Sequence, residues 1–169
     1  MRFGGVLKHD LASAAGIVDV TEISRSCLLL VPAATAYQVV IDVERYADFV
    51  PACKKVQVLE RRREDAQVEW VEAQVTVGKA GAEYEFVTEN KCVANEQVEV
   101  NLKQGPFKRL HGVWTFKALG DEGCRVDLTL DFEATSLLSG LLDGMAQKVA
   151  DSMVDAFSRR ISDAPSHGY

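Results

Sequence analysis

Residues 107–134 read FKRLHGVWTFKALGDEGCRVDLTLDFEA, two alternating runs joined by a Gly-containing turn. In the first run Leu110, Gly112, Trp114 and Phe116 share a face. In the second Val126, Leu128, Leu130 and Phe132 do, with His111, Lys117, Arg125, Asp127 and Asp131 opposite. A period of two puts successive side chains on opposite sides of a strand. The stretch is therefore a β-hairpin with one apolar and one polar face, and a sheet made of such hairpins must cover its apolar side.

The same period extends upstream. Val71, Ala73, Val75 and Val77 fall on one face, and Tyr84, Phe86 and Thr88 alternate with Glu83, Glu85 and Glu89, with Gly78 to Gly81 as the turn between them. Val56 to Arg62 and Gln97 to Lys103 complete six consecutive strands at hairpin spacing, an antiparallel meander. Ahead of them Ile23 to Val31 reads as a first strand ending at Pro32. Residues 33–43 follow with helical spacing of Tyr37, Val40 and Ile41, and a second short helix over Val43 to Phe49 is closed by Pro51. Downstream, Leu138, Leu141, Leu142, Met145, Val149, Met153, Phe157 and Ile161 recur at steps of three and four. They predict one amphipathic helix over 137–161, about 37 Å long.

This order defines an α+β fold, a curved antiparallel sheet of about seven strands wrapped on a long C-terminal helix. A strongly twisted sheet curls, so a straight helix laid across it touches the rim and leaves an apolar hollow. Facing alone selects Val75, Phe86, Val100, Trp114, Leu128, Leu130, Leu141, Met145 and Val149 as its lining. The inward alternation offers mostly hydrocarbon, which suits a greasy ligand and gives a catalytic dyad no place.

Composition narrows the partners. At 169 residues the chain fits one domain, predicted over 20–161, between a poorly ordered leader at 1–19 and a flexible tail at 162–169. The net charge of −6 disfavours DNA and general nucleic-acid binding, because phosphate affinity rests on Lys and Arg. Cys27, Cys53, Cys92 and Cys124 are scattered without a CxxC pair and read as buried thiols in a reducing compartment. No apolar run reaches the length of a bilayer span, so the chain is expected in the cytoplasm, with any contact to the inner membrane peripheral.

Two stretches carry a family resemblance. Residues 42–53, DVERYADFVPAC, and 105–114, GPFKRLHGVW, resemble signatures of the ubiquinone-binding START-like proteins, a group related to polyketide cyclases that includes the bacterial ribosome-association toxin. The resemblance runs from about Val20 to Arg160. It implies a helix-grip fold, which agrees with the element order read above. It also implies non-enzymatic binding of ubiquinone or a similar polyprenyl lipid in support of respiration, with no cofactor beyond that ligand. One similar relative is described as blocking association of ribosomal subunits, which makes the large ribosomal subunit the alternative partner. A polyketide cyclase-like enzyme is the third reading, and a homodimer stays open.

Several residues admit two readings. Gly105 and Pro106 form a hairpin turn; Phe107 is also placed at the pocket mouth, with Lys108 and Arg109 facing solvent, an anionic membrane or a partner. Tyr46, Phe49 and Pro51 either staple the short helices to the sheet or form a lid over one end of the cavity. Gly140 and Gly144 allow close helix packing or room for an isoprenoid chain. His111 stands opposite Asp131 or Thr129 depending on register, on the solvent face and away from the pocket. Lys54-Lys55, Arg61-Arg62-Arg63 and Arg159-Arg160 are solvated faces unless they converge on one surface, in which case they suit ribosomal RNA. The histidines are too separated to assemble a metal site.

Overall fold

The alternating runs become antiparallel strands in the computed structural model of this chain, which describes residues 4–12, 18–79, 81–136 and 146–165. The order is β1 (Gly4–Ala12), β2 (Val18–Leu29), α1 (Ala33–Ile41), a 3-10 turn (Val43–Arg45), α2 (Tyr46–Phe49), β3 (Cys53–Arg63), β4 (Val68–Lys79), β5 (Ala82–Val93), β6 (Gln97–Gln104), β7 (Phe107–Leu119), β8 (Gly123–Ala134) and α3 (Ala146–Asp163). The strands lie side by side as β1-β2-β8-β7-β6-β5-β4-β3, every neighbouring pair antiparallel. This is the curved α+β sheet with a C-terminal helix that the alternation predicts.

One expectation changes at the amino end. The sequence predicts no structure over residues 1–19, yet Gly4–Ala12 pair along β2 from Gly4↔Ser26 to Ala12↔Val18. The sheet accordingly has eight strands rather than about seven. The physical reason is the edge: β2 alone would present a row of unpaired N–H and C=O groups, and a strand laid along it satisfies them.

Helix α1 begins directly after Pro32, whose carbonyl accepts from Thr35 N (3.0 Å) and Ala36 N (3.3 Å). It buries Ala36, Tyr37 and Val40 against β7 and β8. Helix α3 buries Ala150, Val154, Phe157 and Ile161, spaced four, three and four apart, against β2, α1 and α2. Fully burying a Val, Leu or Phe contributes about 1.5–3 kcal/mol, so this stripe fixes the helix's rotation. That rotation corrects one pocket residue: Val149, one position off the stripe, is 43% exposed rather than turned inward. Leu141 and Met145, like Leu138, Leu142, Gly140 and Gly144, lie outside the described residues.

Among the described residues α3 covers a small void. The void among Arg25, Cys27, Trp114, Leu128, Val154 and Phe157 measures about 20 Å³, room for about one water molecule. The cysteines are all free and buried.

Candidate functional site

The sheet opens at the turn singled out by sequence. The β6–β7 ladder runs from Gln97↔Thr115 to Asn101↔His111 and ends there. Beyond that point Leu102 and Gln104 pair with Thr88 and Val87 of β5, while Phe107, Arg109 and Leu110 pair with Ala134, Glu133 and Phe132 of β8. The two strands thus follow different neighbours, and a groove of about 440 Å³ separates them. Asn101, Leu102, Lys108, Arg109, Leu110 and His111 line it.

Local chemistry holds the split. Gly105 sits at φ +147, against Phe86, and Pro106 has no N–H to donate across the turn. The Pro106 carbonyl accepts instead from the Thr135 N–H (3.2 Å) and the Thr135 hydroxyl, which ties the turn to the end of β8. Phe107, half-buried, meets Phe86 edge-on at 5.4 Å and Phe132 at 6.3 Å. Phe86, Phe107 and Phe132 therefore form an aromatic row at the start of β7, and Phe107 is not among the residues that line the groove.

On the outer face the cations are paired. Lys108 Nζ lies 3.3 Å from Glu133, and Arg109 lies 2.6 Å from Asp131. Both cations are about 60% exposed, at 62% and 60%, so each pair contributes only about 0–1 kcal/mol. Of the two registers open in sequence, the structure has His111 opposite Asp131. His111 Nδ1 is 3.3 Å from Asp131 and Nε2 is 3.3 Å from Glu99.

The inner face holds what the sequence reading missed. Thr88 and Asn90 point inward on β5, 4% and 5% exposed. Asn90 stands between Val71 of β4 and Val100 of β6, with Gly112 and Leu130 next along the row. Thr88 stands between Ala73 and Leu102, and Leu102 is a wall of the groove. Among the described residues Asn90 Oδ1 is buried with no hydrogen-bond partner. Leaving such an atom unpaired costs about 1–3 kcal/mol. The signal was present in sequence: Phe86, Thr88, Asn90 and Cys92 continue one alternation, and the polar pair interrupts its hydrocarbon.

The remaining pocket residues divide. Val75, Phe86, Val100 and Leu130 are half-buried on the inner face. Trp114 and Leu128 are buried under α3, with the Trp114 ring 4.9 Å from Phe157.

At the other end of the sheet Tyr46 and Phe49 have the contacts of a staple. Their rings stand 5.0 and 5.1 Å from Phe157, both edge-on. The Tyr46 hydroxyl donates to the Val40 carbonyl, and burial drives its phenol well above the ordinary range. Pro51 is exposed in the turn before β3. Arg160 lies 5.3 Å over the Phe49 ring, and Lys54-Lys55 follow at the start of β3. Arg61 pairs with Glu44 (3.5 Å) and Glu69 (3.8 Å), and Arg62 stacks 5.6 Å from the Trp70 ring. Arg61–Arg63 lie about 25 Å from Lys54 along the same strand.

The fold is thus a twisted antiparallel sheet packed on a C-terminal helix, with a break in its β6–β7 ladder and a buried polar pair on its inner face. The chain belongs to the family described as polyketide cyclase / dehydrase and lipid transport, whose profile matches residues 29–158. It is 41% identical over 141 residues to the ribosome association toxin RatA of Pseudomonas aeruginosa, an alignment spanning 83% of this chain and 94% of that one. It is 31% identical over 130 residues to the mitochondrial coenzyme Q-binding protein COQ10 homolog B of Xenopus laevis, spanning 73% of this chain and 51% of that one. Among solved structures, the Zhui aromatase/cyclase from Streptomyces sp. R1128 superimposes with a TM-score of 0.70 at 18% identity, covering 89% of this chain and 99% of that one. This last likeness concerns the fold.

Proposed function

We propose that the chain is a non-enzymatic cytoplasmic factor that acts at the ribosome by binding the large subunit. The observation that carries this reading is the 41% identity to a ribosome association toxin over 94% of that protein's length. The surface around α2 supports it: exposed Arg45, Lys54, Lys55 and Arg160 flank a helix whose aromatic side chains are anchored in the core. Phosphate contacts by such cations weaken steeply with salt. In sucrose gradients at low salt the chain is expected to sediment with free large subunits, to be released at high salt, and on overexpression to slow growth while reducing the 70S peak. A chain that stays at the top of low-salt gradients and leaves the 70S peak unchanged would overturn the reading.

A second reading, binding of ubiquinone or a related prenyl lipid in the interior, is favoured by the similarity to a coenzyme Q-binding protein and by the buried Asn90 Oδ1, an acceptor among apolar walls that a prenyl head bearing a hydroxyl would satisfy. The two readings are compatible, because one uses the outer surface around α2 and the other the inner face of the sheet.

A further inference from the structure

We infer that Asn90 and Thr88 form the polar anchor of the interior, and that it takes the uncharged hydrogen-bonding head of an amphiphile arriving through the split between β6 and β7. This rests on the second reading above, that the interior binds a lipid, and specifies the kind of head it accepts.

Three observations converge on it. Asn90 is only 5% exposed, faces inward by register, and leaves its amide oxygen without a partner among the described residues. A group in that state is satisfied most directly by a ligand that brings the missing partner. The route is short: Leu102 lines the groove and pairs with Thr88, and Asn90 follows two residues along the same face of β5. Finally, the strand neighbours of the pair are uncharged. Val71, Val100, Gly112 and Leu130 share the Asn90 row and Ala73 and Leu102 flank Thr88, while Arg61, at the edge of the Asn90 row, is held by Glu44 and Glu69.

These surroundings decide the chemistry of the head. A carboxylate or phosphate here would be buried without a counter-charge, which is far more costly than burying a carbonyl or hydroxyl. The Asn amide offers both an acceptor and two donors, and the Thr hydroxyl both donates and accepts. Because the unpartnered atom is the Asn90 Oδ1 acceptor, the matching heads are those with an O–H or N–H to donate: phenol, hydroquinone, alcohol or amide groups.

The test uses the whole chain with three probes of similar length: a hydroquinone bearing two isoprene units and kept reduced, farnesol, and palmitate at pH 8. Binding is read by quenching of tryptophan fluorescence and checked by calorimetry for the parent, Asn90→Leu and Thr88→Val, with circular dichroism melts to establish folding. The parent is expected to bind the hydroquinone and farnesol at least tenfold more tightly than palmitate. Asn90→Leu should lose about tenfold for the two neutral probes while melting at or above the parent temperature, because it removes an unpaired polar atom. Thr88→Val, close in shape, provides the same reading if Asn90→Leu fails to fold. Unchanged binding of the neutral probes in the folded variants, or a preference of the parent for palmitate, overturns the anchor alone. A parent that binds none of the three overturns the lipid reading with it.

Discussion

Gly105 lies so close to Phe86 that a Cβ on the glycine would stand 2.4 Å from the Phe86 Cβ and 3.0 Å from its Cα. The contact joins the turn at the open end of β6 and β7 to the middle of β5. It also explains why the chain can diverge there: a backbone at φ +147 with no side chain packs flat on the neighbouring strand, where an L-residue would push the two apart.

Gly105→Ala is therefore expected to lower stability by about 1–3 kcal/mol, through backbone strain and displacement of β5. Gly120→Ala is the control, since Gly120 is also at positive φ, +71, but a Cβ added there would meet nothing within 4 Å. Thermal melts followed by circular dichroism should show the larger fall for Gly105→Ala. Equal shifts in the two variants would mean that the Phe86 contact carries no weight.

Phe157 joins three parts of the fold, with ring centroids 4.9 Å from Trp114, 5.0 Å from Tyr46 and 5.1 Å from Phe49. Truncating it removes the hub between α2, α3 and the sheet. Phe157→Ala should cost about 3–5 kcal/mol in urea unfolding, whereas Val149→Ala, on the exposed side of the same helix, should stay within about 0.5 kcal/mol of the parent. A Phe157→Ala loss no larger than that of Val149→Ala would contradict the packing described for α3.

Burial, with the charge of Glu69 adding to it at Cys92 and of Cys27 at Cys124, pushes the thiols of Cys92 and Cys124 up from 9.0 to about 11. Unfolding returns them to 9.0, so the unfolded chain releases protons that the folded chain retains. Their contribution to stability is fully present below pH 9 and is lost as pH rises toward 11. Melting temperature should fall across that window, and less steeply in a Cys92→Ala, Cys124→Ala variant. Thiol reagents at pH 8 should leave both residues unmodified until denaturant is added. A flat profile from pH 9 to 11, or rapid labelling of the native protein, would show that these thiols are open to solvent.

The strand segments were legible because burial on one face imposes a period of two, and Trp114, Phe116, Val126 and Leu128 obey it without exception. The C-terminal helix was legible through Phe157 and Ile161 but misjudged at Val149, because steps of three and four fit two adjacent stripes. Only packing against β2 and α1 chooses between them. The β1 strand escaped notice because its pairing satisfies backbone groups of β2, which leave no trace in side-chain pattern.

What the sequence by itself determined is therefore the α+β class, the inward and outward faces, the turn at Gly105-Pro106 and the family resemblance, all set by local periodicity and backbone stereochemistry. What only the tertiary structure decided is the point where β6 leaves β7, the pairing of Lys108 and Arg109 with Glu133 and Asp131, and the isolation of the Asn90 amide among hydrocarbon. Each depends on which strand lies beside which and in what register, and hydrogen bonds between distant segments set that register.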